Sequence, residues 1–342
     1  MPSAPAPRPT VAVANWVHPE VHAYLQPHTR VIANETREPW TSAELRAHCQ
    51  AADALIGFMT ETVDDAFLAA CPRLKIVACA LKGFDNYDVA ACTRRGIWIT
   101  LVTDLLTAPT AELTVGHLIA LARHMPAGDR LVRSGGFEGW RPTLYGTGLD
   151  GSTIGLIGAG AVGKAVARRL AGFRSQLLYW DRNPLTPDQE DALRLTYVSL
   201  EELAARSDFV CVCIPLNPDS YRKVDGHFLA QMKPGALLVN TARGSVVDED
   251  AVADALESGH LGGYAADVFE MEDWALPDRP REVNARLLAM PERTFFTPHI
   301  GSAVDRIRRD IAMQAAQDVV EVLQGRRPPH AINEPVQAPA GA

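Results

Sequence analysis

The fold is decided by the stretch Thr153-Ile154-Gly155-Leu156-Ile157-Gly158-Ala159-Gly160-Ala161-Val162-Gly163. Its apolar part, 154–157, is typical of a buried strand, and the residues from Ala161 onward have helical periodicity. Gly158, Gly160 and Gly163 fit the G-x-G-x-x-G spacing, which allows a tight turn, close approach to a pyrophosphate and packing of a helix against a strand. The free N–H groups at the start of that helix would face the phosphates. The stretch therefore predicts a phosphate-binding turn between a strand and a helix.

The residues around this turn strengthen the prediction, because a glycine turn alone is common. A second apolar run, Gln176–Trp180, follows the helix and ends at Asp181. Asp181 lies 18 residues after Gly163 (181 minus 163). This is near the offset of about 20 residues at which a carboxylate accepts the ribose hydroxyls of a dinucleotide. The complete β-α-β unit with its acid predicts dinucleotide binding.

Length and composition favour a two-domain globular enzyme. The chain has 342 residues, of which 47% are hydrophobic, and a formal net charge of −8. No run reaches the roughly 18 apolar residues of a membrane span, and the first ten residues lack the apolar core of a signal peptide, so we expect a cytoplasmic protein without membrane contact. The negative charge repels polyanions and argues against nucleic-acid binding. The Cys and His spacings match no metal site, so no metal is expected.

Strand-like and helical segments alternate along the chain. In the first part we expect strands at 11–16, 54–58, 75–80 and 98–101, and a helix at 41–51 opened by a capping box. A long helix is predicted from Pro109 through Arg123 and up to Arg133, followed by an irregular loop at 134–151. Further strands are expected at 209–214, 236–240, 263–268 and 294–296, and a last helix at 303–323. The alternation predicts an α/β protein of Rossmann-like, doubly wound parallel sheets.

Four residues that could carry chemistry lie shortly after predicted strands. Lys82 follows the strand 75–80, Arg243 follows 236–240, Glu272 follows 263–268 and His299 follows 294–296. Taken singly, each has an ordinary alternative as a solvated cation, an acidic loop residue or a structural histidine. The carboxyl ends of parallel strands meet at the edge where open α/β sheets bind ligands, so their shared position favours a site. Arginine suits an oxyanion, and histidine is the commonest general acid or base.

These residues carry a family resemblance. Gly158–Gly163, Asp181, Arg243-Gly244, Glu272 and Thr297-Pro298-His299 together resemble the D-isomer-specific 2-hydroxyacid dehydrogenases over nearly the whole chain. Among the members of that family, the stretches 80–86, 104–107 with 109–113, 262–274 and 296–304 most resemble the phosphonate (phosphite) dehydrogenases. The resemblance implies an NAD-binding Rossmann domain, 107–299, inserted into a smaller flavodoxin-like substrate domain, 1–106 and 300–335. It also implies a cleft between the two domains and a homodimer.

The resemblance also implies roles for individual residues. Arg243 would clamp the substrate anion, His299 would be the catalytic base, Glu272 would orient it and Lys82 would be a second anion contact. The other implied substrate contacts are Gly83, Met59, Leu106, Trp140, Tyr145 and Ser302. The implied cofactor contacts are Gly158, Gly160, Ala161, Val162, Gly163, Asp181, Arg182, Pro215, Thr241, Ala242 and Asp267. Arg182, directly after Asp181, could accept a 2′-phosphate, so we expect NAD as cofactor with some use of NADP.

Three functional hypotheses follow. The first is NAD-dependent oxidation of phosphite to phosphate, in which His299 deprotonates the water that supplies the new oxygen. The second is a D-2-hydroxyacid dehydrogenase, or 2-ketoacid reductase, in which His299 takes the hydroxyl proton and Arg243 holds the carboxylate. The third is an NAD-sensing protein of the corepressor type, which binds without turnover.

Overall fold

The computed structural model describes residues 8–102 and 104–336, and the chain divides into two compact units. The first unit runs to Leu106 and resumes at Ala303, and the second is Thr107–Ser302. Each unit is built on one all-parallel β-sheet. The predicted fold class, α/β with two parallel sheets, is confirmed.

The first unit has a five-stranded sheet in the order β2-β1-β3-β4-β5. Its strands are β1 (Thr10–Val13), β2 (Arg30–Ala33), β3 (Ala54–Gly57), β4 (Ile76–Cys79) and β5 (Trp98–Leu101), and its first helices are α1 (Pro19–Leu25), α2 (Ser42–Cys49), α3 (Asp65–Ala70) and α4 (Val89–Arg94). Every residue of β3 and β4 is buried, as expected for parallel strands covered on both faces. The predicted capping box opens α2, since Thr41 accepts from the Glu44 amide and Glu44 accepts from the Thr41 amide.

The second unit has a seven-stranded sheet in the order β12-β11-β10-β9-β6-β7-β8. Its strands are β6 (Thr153–Ile157), β7 (Gln176–Trp180), β8 (Leu195–Tyr197), β9 (Phe209–Val212), β10 (Leu237–Asn240), β11 (Gly263–Ala266) and β12 (Thr294–Phe296). Its helices are α5 (Thr107–Ala122), α6 (Met125–Arg133), α7 (Ala161–Leu170), α8 (Pro187–Leu193), α9 (Leu200–Arg206), α10 (Gly226–Gln231), α11 (Glu249–Glu257) and α12 (Ala285–Leu288), and a last helix, α13 (Asp305–Leu323), belongs to the first unit. The strand order reverses between β6 and β9, which is the point where sheets of this topology bind dinucleotides.

The core of the second unit lies on both faces of its sheet. Leu238 of β10 packs in one buried cluster with Val252 of α11, whereas the next residue, Val239, packs in another with Leu118 of α5. Alternate residues of a strand point to opposite faces, so helices cover the sheet on both sides. The sheet is therefore doubly wound, as predicted.

The structure corrects the boundaries of several predicted elements. The single helix expected from Pro109 up to Arg133 is two helices, because His124 adopts a left-handed conformation with φ 50° and interrupts the hydrogen-bond ladder between α5 and α6. The edge strands β2 and β8 were not predicted, because neither is a continuous buried apolar run. Within residues 8–102 and 104–336, no helix is both long and apolar enough to cross a bilayer.

Candidate active site

The glycine turn after β6 has the geometry that its spacing predicts. Gly158 has φ 105°, and a Cβ there would lie 2.6 Å from Cγ2 of Ile214. A Cβ on Gly163 would lie 2.1 Å from the Gly158 carbonyl oxygen, so α7 packs directly against the turn. A Cβ on Gly160 would meet nothing within 4 Å, and no side chain caps α7 at this residue. The open space beside the first-turn amides of α7 suits the pyrophosphate of NAD.

Asp181 follows β7 directly and is hydrogen-bonded to the glycine turn. Its Oδ2 accepts a hydrogen bond from the Ala159 amide at 2.8 Å, and its Oδ1 accepts from the Asn183 amide at 3.1 Å. The next residue, Arg182, pairs with Asp219 at 2.9 Å, and both side chains are mostly exposed. An exposed pair of this kind contributes about 0 to 1 kcal/mol, so Arg182 can leave Asp219 for another anion. No sequence pattern pointed to Asp219 as the partner.

His299 and Glu272 form a hydrogen-bonded pair in the second unit. Nδ1 of His299 lies 2.6 Å from Oε2 of Glu272, and about a quarter of each side chain is exposed. Oε1 of Glu272 accepts from the Phe269 amide at 2.7 Å, which fixes the carboxylate. Because the carboxylate accepts from Nδ1–H, the Nε2 atom on the other edge of the ring is left to exchange a proton.

Close backbone packing brings the loops of Arg243 and Glu272 together. A Cβ on Gly244 would lie 1.9 Å from the Phe269 carbonyl carbon, so the glycine lets the 3₁₀ helix Gly244–Val246 contact the 3₁₀ helix Glu270–Glu272. The Arg243 carbonyl accepts from the Asn240 side chain at 2.8 Å, and Nη1 of Arg243 donates to the Ala242 carbonyl at 2.8 Å. Arg243, the predicted substrate-anion contact, and Glu272, the predicted orienting acid, therefore lie on adjoining loops.

Two buried glutamates support this arrangement and were not predicted. The Glu249 amide donates to Oε1 of Glu270 at 3.1 Å, and the Glu270 amide donates to Oε1 of Glu249 at 2.8 Å. Burial, opposed in part by a backbone hydrogen bond, raises the pKa of Glu249 to about 7. Arg222 lies 3.5 Å from Oε2 of Glu270. These contacts fasten the start of the Glu270–Glu272 turn to α11.

Asp267, a predicted cofactor contact, is buried and holds the loop that carries His299. Its Oδ1 accepts from the Thr297 hydroxyl at 2.5 Å and from the Ile300 amide at 2.8 Å, and its Oδ2 accepts from the Gly301 amide at 2.8 Å. Burial raises the pKa of Asp267, whereas these hydrogen bonds and the nearby His299 oppose the rise. In the described contacts this carboxylate accepts from one side-chain hydroxyl and two backbone amides of the protein itself.

The remaining predicted contacts of the second unit differ in exposure. Trp140 and Tyr145, in the irregular loop after α6, are 77% and 75% exposed, whereas Ser302 is buried. Thr241 is buried, and its hydroxyl lies 2.7 Å from that of Thr114 in α5. The others lie at the carboxyl end of β9 or β10 or at the start of α7: Pro215, Ala242, Ala161 and Val162.

The first unit contains the other predicted substrate contacts. Lys82 follows β4, is exposed, and its Nζ lies 3.8 Å from Oδ1 of Asp104. Met59 follows β3 and borders a cavity of about 340 Å³ that is also lined by Arg308 of α13. Burial lowers the pKa of Arg308, which marks it as a cation in a poorly solvated position. Gly83 adjoins Lys82 and is partly buried, and Leu106 packs against the core of this unit. The helical pattern around Arg308 carries no functional signal in the sequence.

Residues 115–301 match the family model described as "D-isomer specific 2-hydroxyacid dehydrogenase, NAD binding domain". The chain belongs to the D-isomer specific 2-hydroxyacid dehydrogenases. Within the family it is 36% identical over 289 residues to a glyoxylate reductase of Thermococcus litoralis, a match that covers 83% of this chain and 84% of the relative. Among solved structures, a protein of Thermus thermophilus superposes with a TM-score of 0.86 and 34% identity, over 94% of this chain and 99% of that chain. A glyoxylate reductase of Paecilomyes thermophila gives a TM-score of 0.82 and 26% identity, over 95% and 98%.

As a member of this family, the chain is an NAD-dependent oxidoreductase, as predicted. The glyoxylate reductases just named act, by their names, on glyoxylate rather than on phosphite. The comparisons thus favour the second functional hypothesis, a 2-hydroxyacid dehydrogenase, over the first. Among residues 8–102 and 104–336, no group of three or more His, Cys, Asp or Glu side chains is suited to a metal ion.

Proposed function

We propose that this protein interconverts a small 2-hydroxy acid and its 2-oxo acid with NAD(H), in the manner of a glyoxylate reductase. The observation that carries the proposal is the 2.6 Å pair of His299 and Glu272, which adjoins the loop of Arg243. A 2-oxo acid requires a proton donor at its carbonyl, which His299 beside Glu272 can be, and a cation at its carboxylate, which the guanidinium of Arg243 can be. The sequence resemblance, which implied these three roles, supports the same assignment.

The residues of the second unit would act as follows during reduction. NADH, when bound to the glycine turn, would provide the hydride that the carbonyl carbon of the substrate accepts. His299, charged and held at Nδ1 by Glu272, donates its Nε2 proton to the carbonyl oxygen, and the oxo acid becomes the hydroxy acid. Arg243 holds the substrate carboxylate through two parallel N–H groups. In the oxidation direction, neutral His299 accepts the hydroxyl proton through Nε2, and Glu272 stabilises the resulting imidazolium.

We assign NAD to the second unit and the selection of substrate to the first. The glycine turn and the first-turn amides of α7 would hold the pyrophosphate, and Asp181 would accept from the ribose hydroxyls. A carboxylate repels a 2′-phosphate, so NAD should be preferred, and Arg182 should permit some use of NADP. Gly83, Met59 and Leu106 would contact the substrate from the first unit, and Lys82 would add a contact where the substrate carries a second negative charge.

Phosphite oxidation is the second candidate, and Lys82 is the observation that favours it. Phosphite carries between one and two negative charges near neutral pH, whereas a 2-oxo acid carries one that Arg243 alone can bind. A second cation at the end of β4 would match the greater charge. Against this, Lys82 lies 3.8 Å from Asp104, which already offsets part of its charge.

We also propose that the protein is a homodimer. Large apolar side chains are exposed along one stretch of the second unit: Met125 (55%), Val132 (58%), Phe137 (56%), Trp140 (77%) and Tyr145 (75%). A concentration of exposed apolar surface is typical of an interface, and a second copy of the chain is the occupant that the family resemblance implies. Light scattering after size exclusion should give the mass of a dimer, and Phe137→Ser with Trp140→Ser should shift it toward the monomer. A wild-type monomer at micromolar concentration would contradict this proposal.

One set of absorbance assays tests the proposed activity. NADH oxidation is followed with glyoxylate, hydroxypyruvate and pyruvate, and NAD reduction is followed with phosphite, glycerate and D-lactate. We expect the highest kcat/KM with a 2-oxo acid and loss of turnover in His299→Ala. A kcat/KM for phosphite far above that of every organic acid would replace the proposal with the second candidate. NAD binding without turnover on any compound would favour the corepressor-type hypothesis.

A further inference from the structure

His117 is a buried histidine of α5 that the sequence did not single out. Its side chain has no exposed surface, its Nε2 lies 3.0 Å from the Thr297 hydroxyl, and its ring lies 5.0 Å from that of Phe295. Its Nδ1 is buried and has no hydrogen-bond partner of ordinary geometry, and the ring lies near the Leu113 carbonyl, one helical turn earlier. Burial lowers the pKa of His117 to about 4, so the imidazole is neutral at ordinary working pH.

The hydrogen-bond chemistry fixes the direction of the bonds from His117. The Thr297 hydroxyl lies 2.5 Å from Oδ1 of Asp267. Two backbone amides also donate to Asp267, which favours its ionised form. An ionised carboxylate can only accept, so the single hydroxyl proton of Thr297 is donated to Asp267. The Thr297 oxygen must then accept from His117, which therefore carries its proton on Nε2. The order of donation is His117 to Thr297 to Asp267.

This chain of hydrogen bonds ends on the carboxylate that holds the His299 loop. Asp267 also accepts from the amides of Ile300 and Gly301, the two residues that follow His299, and its own carbonyl accepts from the His299 amide at 2.8 Å. His299 itself has φ 53°, a conformation that is unfavourable for a residue with a side chain. The bonds to Asp267 hold the backbone in that conformation, so the base depends on how this carboxylate is placed.

We propose that His117 is a positioning residue for His299: by donating to Thr297 it directs the Thr297 hydroxyl onto Asp267, which then holds the loop of the catalytic base. The inference deepens the proposed function and rests on it. The titratable groups that the structure describes around this network are His299, which faces Asp267, and Glu272, which binds His299. Thr297 lowers the pKa of Asp267 by donating to it, so loss of that bond should leave Asp267 protonated at higher pH.

Two substitutions of His117 separate positioning from packing. His117→Leu keeps an apolar side chain beside Phe295 but has no donor, whereas His117→Gln has an amide N–H that reaches about as far as Nε2. We expect His117→Leu to lower kcat roughly 10-fold, with KM for NADH and for the 2-oxo acid within about 3-fold of wild type. The acidic limb of its kcat profile should move to higher pH, and His117→Gln should restore both properties. His227→Leu, at an exposed histidine of α10, is the matched control.

The role of Thr297 as intermediary is tested by a double-mutant cycle. Thr297→Val keeps the shape of the side chain and removes the hydroxyl, so it should reproduce the kcat and pH profile of His117→Leu. The double variant should be no worse than either single variant, because both break the same chain of bonds. Thr297→Val also gives the answer where His117→Leu fails to fold. Fully additive losses would show that His117 does not act through Thr297.

The two proposals fail in different ways. A wild-type protein without turnover on 2-oxo acids or phosphite overturns the proposed function, together with the role of His117 in it. A wild-type protein that turns over, with folded His117→Leu or Thr297→Val variants of unchanged kcat and pH profile, overturns the positioning role alone. Equal losses in His117→Leu and His117→Gln with an unmoved pH profile would also overturn it, since packing alone predicts that result.

Discussion

Replacing Glu272 by Gln tests the geometry of the candidate base most directly. In the wild type, one carboxylate oxygen accepts from His299 and the other accepts from the Phe269 amide. The amide of Gln has one accepting oxygen and one donating NH₂ group, so it can accept a hydrogen bond from only one of these two neighbours. If its oxygen keeps the Phe269 amide, its NH₂ group faces Nδ1 of His299 and opposes protonation there. If the side-chain amide is flipped, so that its oxygen accepts from His299, its NH₂ group faces the N–H of Phe269.

The expected size of the effect follows from the bond that is lost. A hydrogen bond to a charged group contributes about 1.5 to 3 kcal/mol, and His299 must be charged to donate its proton during reduction. About 1.36 kcal/mol changes a rate tenfold, so kcat for reduction should fall by about 10- to 150-fold. The alkaline limb of the reduction profile should move to lower pH, because the charged imidazole loses its counter-charge. The KM for NADH should change little.

Steady-state reduction of glyoxylate across pH, with Glu257→Gln as control, measures these effects. Glu257 is an exposed residue of α11 that pairs with Arg286, so its replacement makes the same change of net charge without touching His299. A folded Glu272→Gln variant with the kcat and pH profile of the wild type would refute the assignment of Glu272 as the group that orients the base. His299→Ala should be the more damaging change, since proton transfer itself is worth roughly 10²- to 10⁴-fold.

Four further predictions concern the rest of the protein. Arg243→Lys should lower kcat/KM by about 30- to 1,000-fold, because an ammonium lacks the two parallel N–H groups that hold an oxyanion; near wild-type efficiency would remove Arg243 from the site. Asp181→Ala should weaken NAD binding and shift preference toward NADP, since it removes both the repulsion of a 2′-phosphate and the bond to Ala159; unchanged cofactor titrations would contradict this. Lys82→Ala should raise KM for phosphite steeply, by the loss of a contact of about 1.5 to 3 kcal/mol, and leave KM for glyoxylate nearly unchanged; equal effects on both would show that Lys82 does not discriminate by charge. The folded-state pKa of Glu249, about 7, is above its ordinary 4.5, so protonated Glu249 stabilises the fold at low pH and that stability is lost as pH rises through 7. In urea titrations, the unfolding free energy of Glu249→Gln should therefore rise by about 3 kcal/mol relative to that of the wild type between about pH 4 and pH 8. Parallel curves of unfolding free energy against pH would refute the assigned shift.

The sequence was most informative where spacing alone determines geometry. The three glycines after β6 predicted a tight turn with a helix packed against it, and the structure has both features, with Gly158 left-handed and Gly163 in contact with it. The capping box at Thr41 was predicted for the same reason, because the partners are three residues apart. Apolar runs predicted the buried strands, since a parallel strand covered on both faces is apolar throughout. Lys82, Arg243, Glu272 and His299, which were predicted to follow these strands, accordingly lie after β4, β10, β11 and β12.

The contacts that the sequence did not predict join residues far apart in the chain. His117 and Thr297 are 180 positions apart, and Glu249 and Glu270 are 21 apart, so no local pattern connects them. His117 lies in a helix whose apolar periodicity predicts a core position, and the residue is indeed buried in the core. Asp267 was predicted as a cofactor contact from resemblance, and only the folded structure shows that its carboxylate accepts from Thr297 and two amides. Tertiary partners decide these roles.

One segment after β11 controls the candidate base in two independent ways. Asp267, at the start of the segment, holds the backbone around His299, and Glu272, five residues later, holds its imidazole. A left-handed residue with a side chain costs about 1 to 2 kcal/mol, and the several hydrogen bonds to Asp267 are together sufficient to offset that cost. The hydrogen bonds between Asp267 and the backbone determine the position of the imidazole. The hydrogen bond to Glu272 determines which ring nitrogen carries the exchangeable proton. Substitutions at the two carboxylates should consequently differ in kind: loss of Glu272 changes the pH profile of a correctly placed base, whereas loss of Asp267 displaces the base and lowers kcat at every pH.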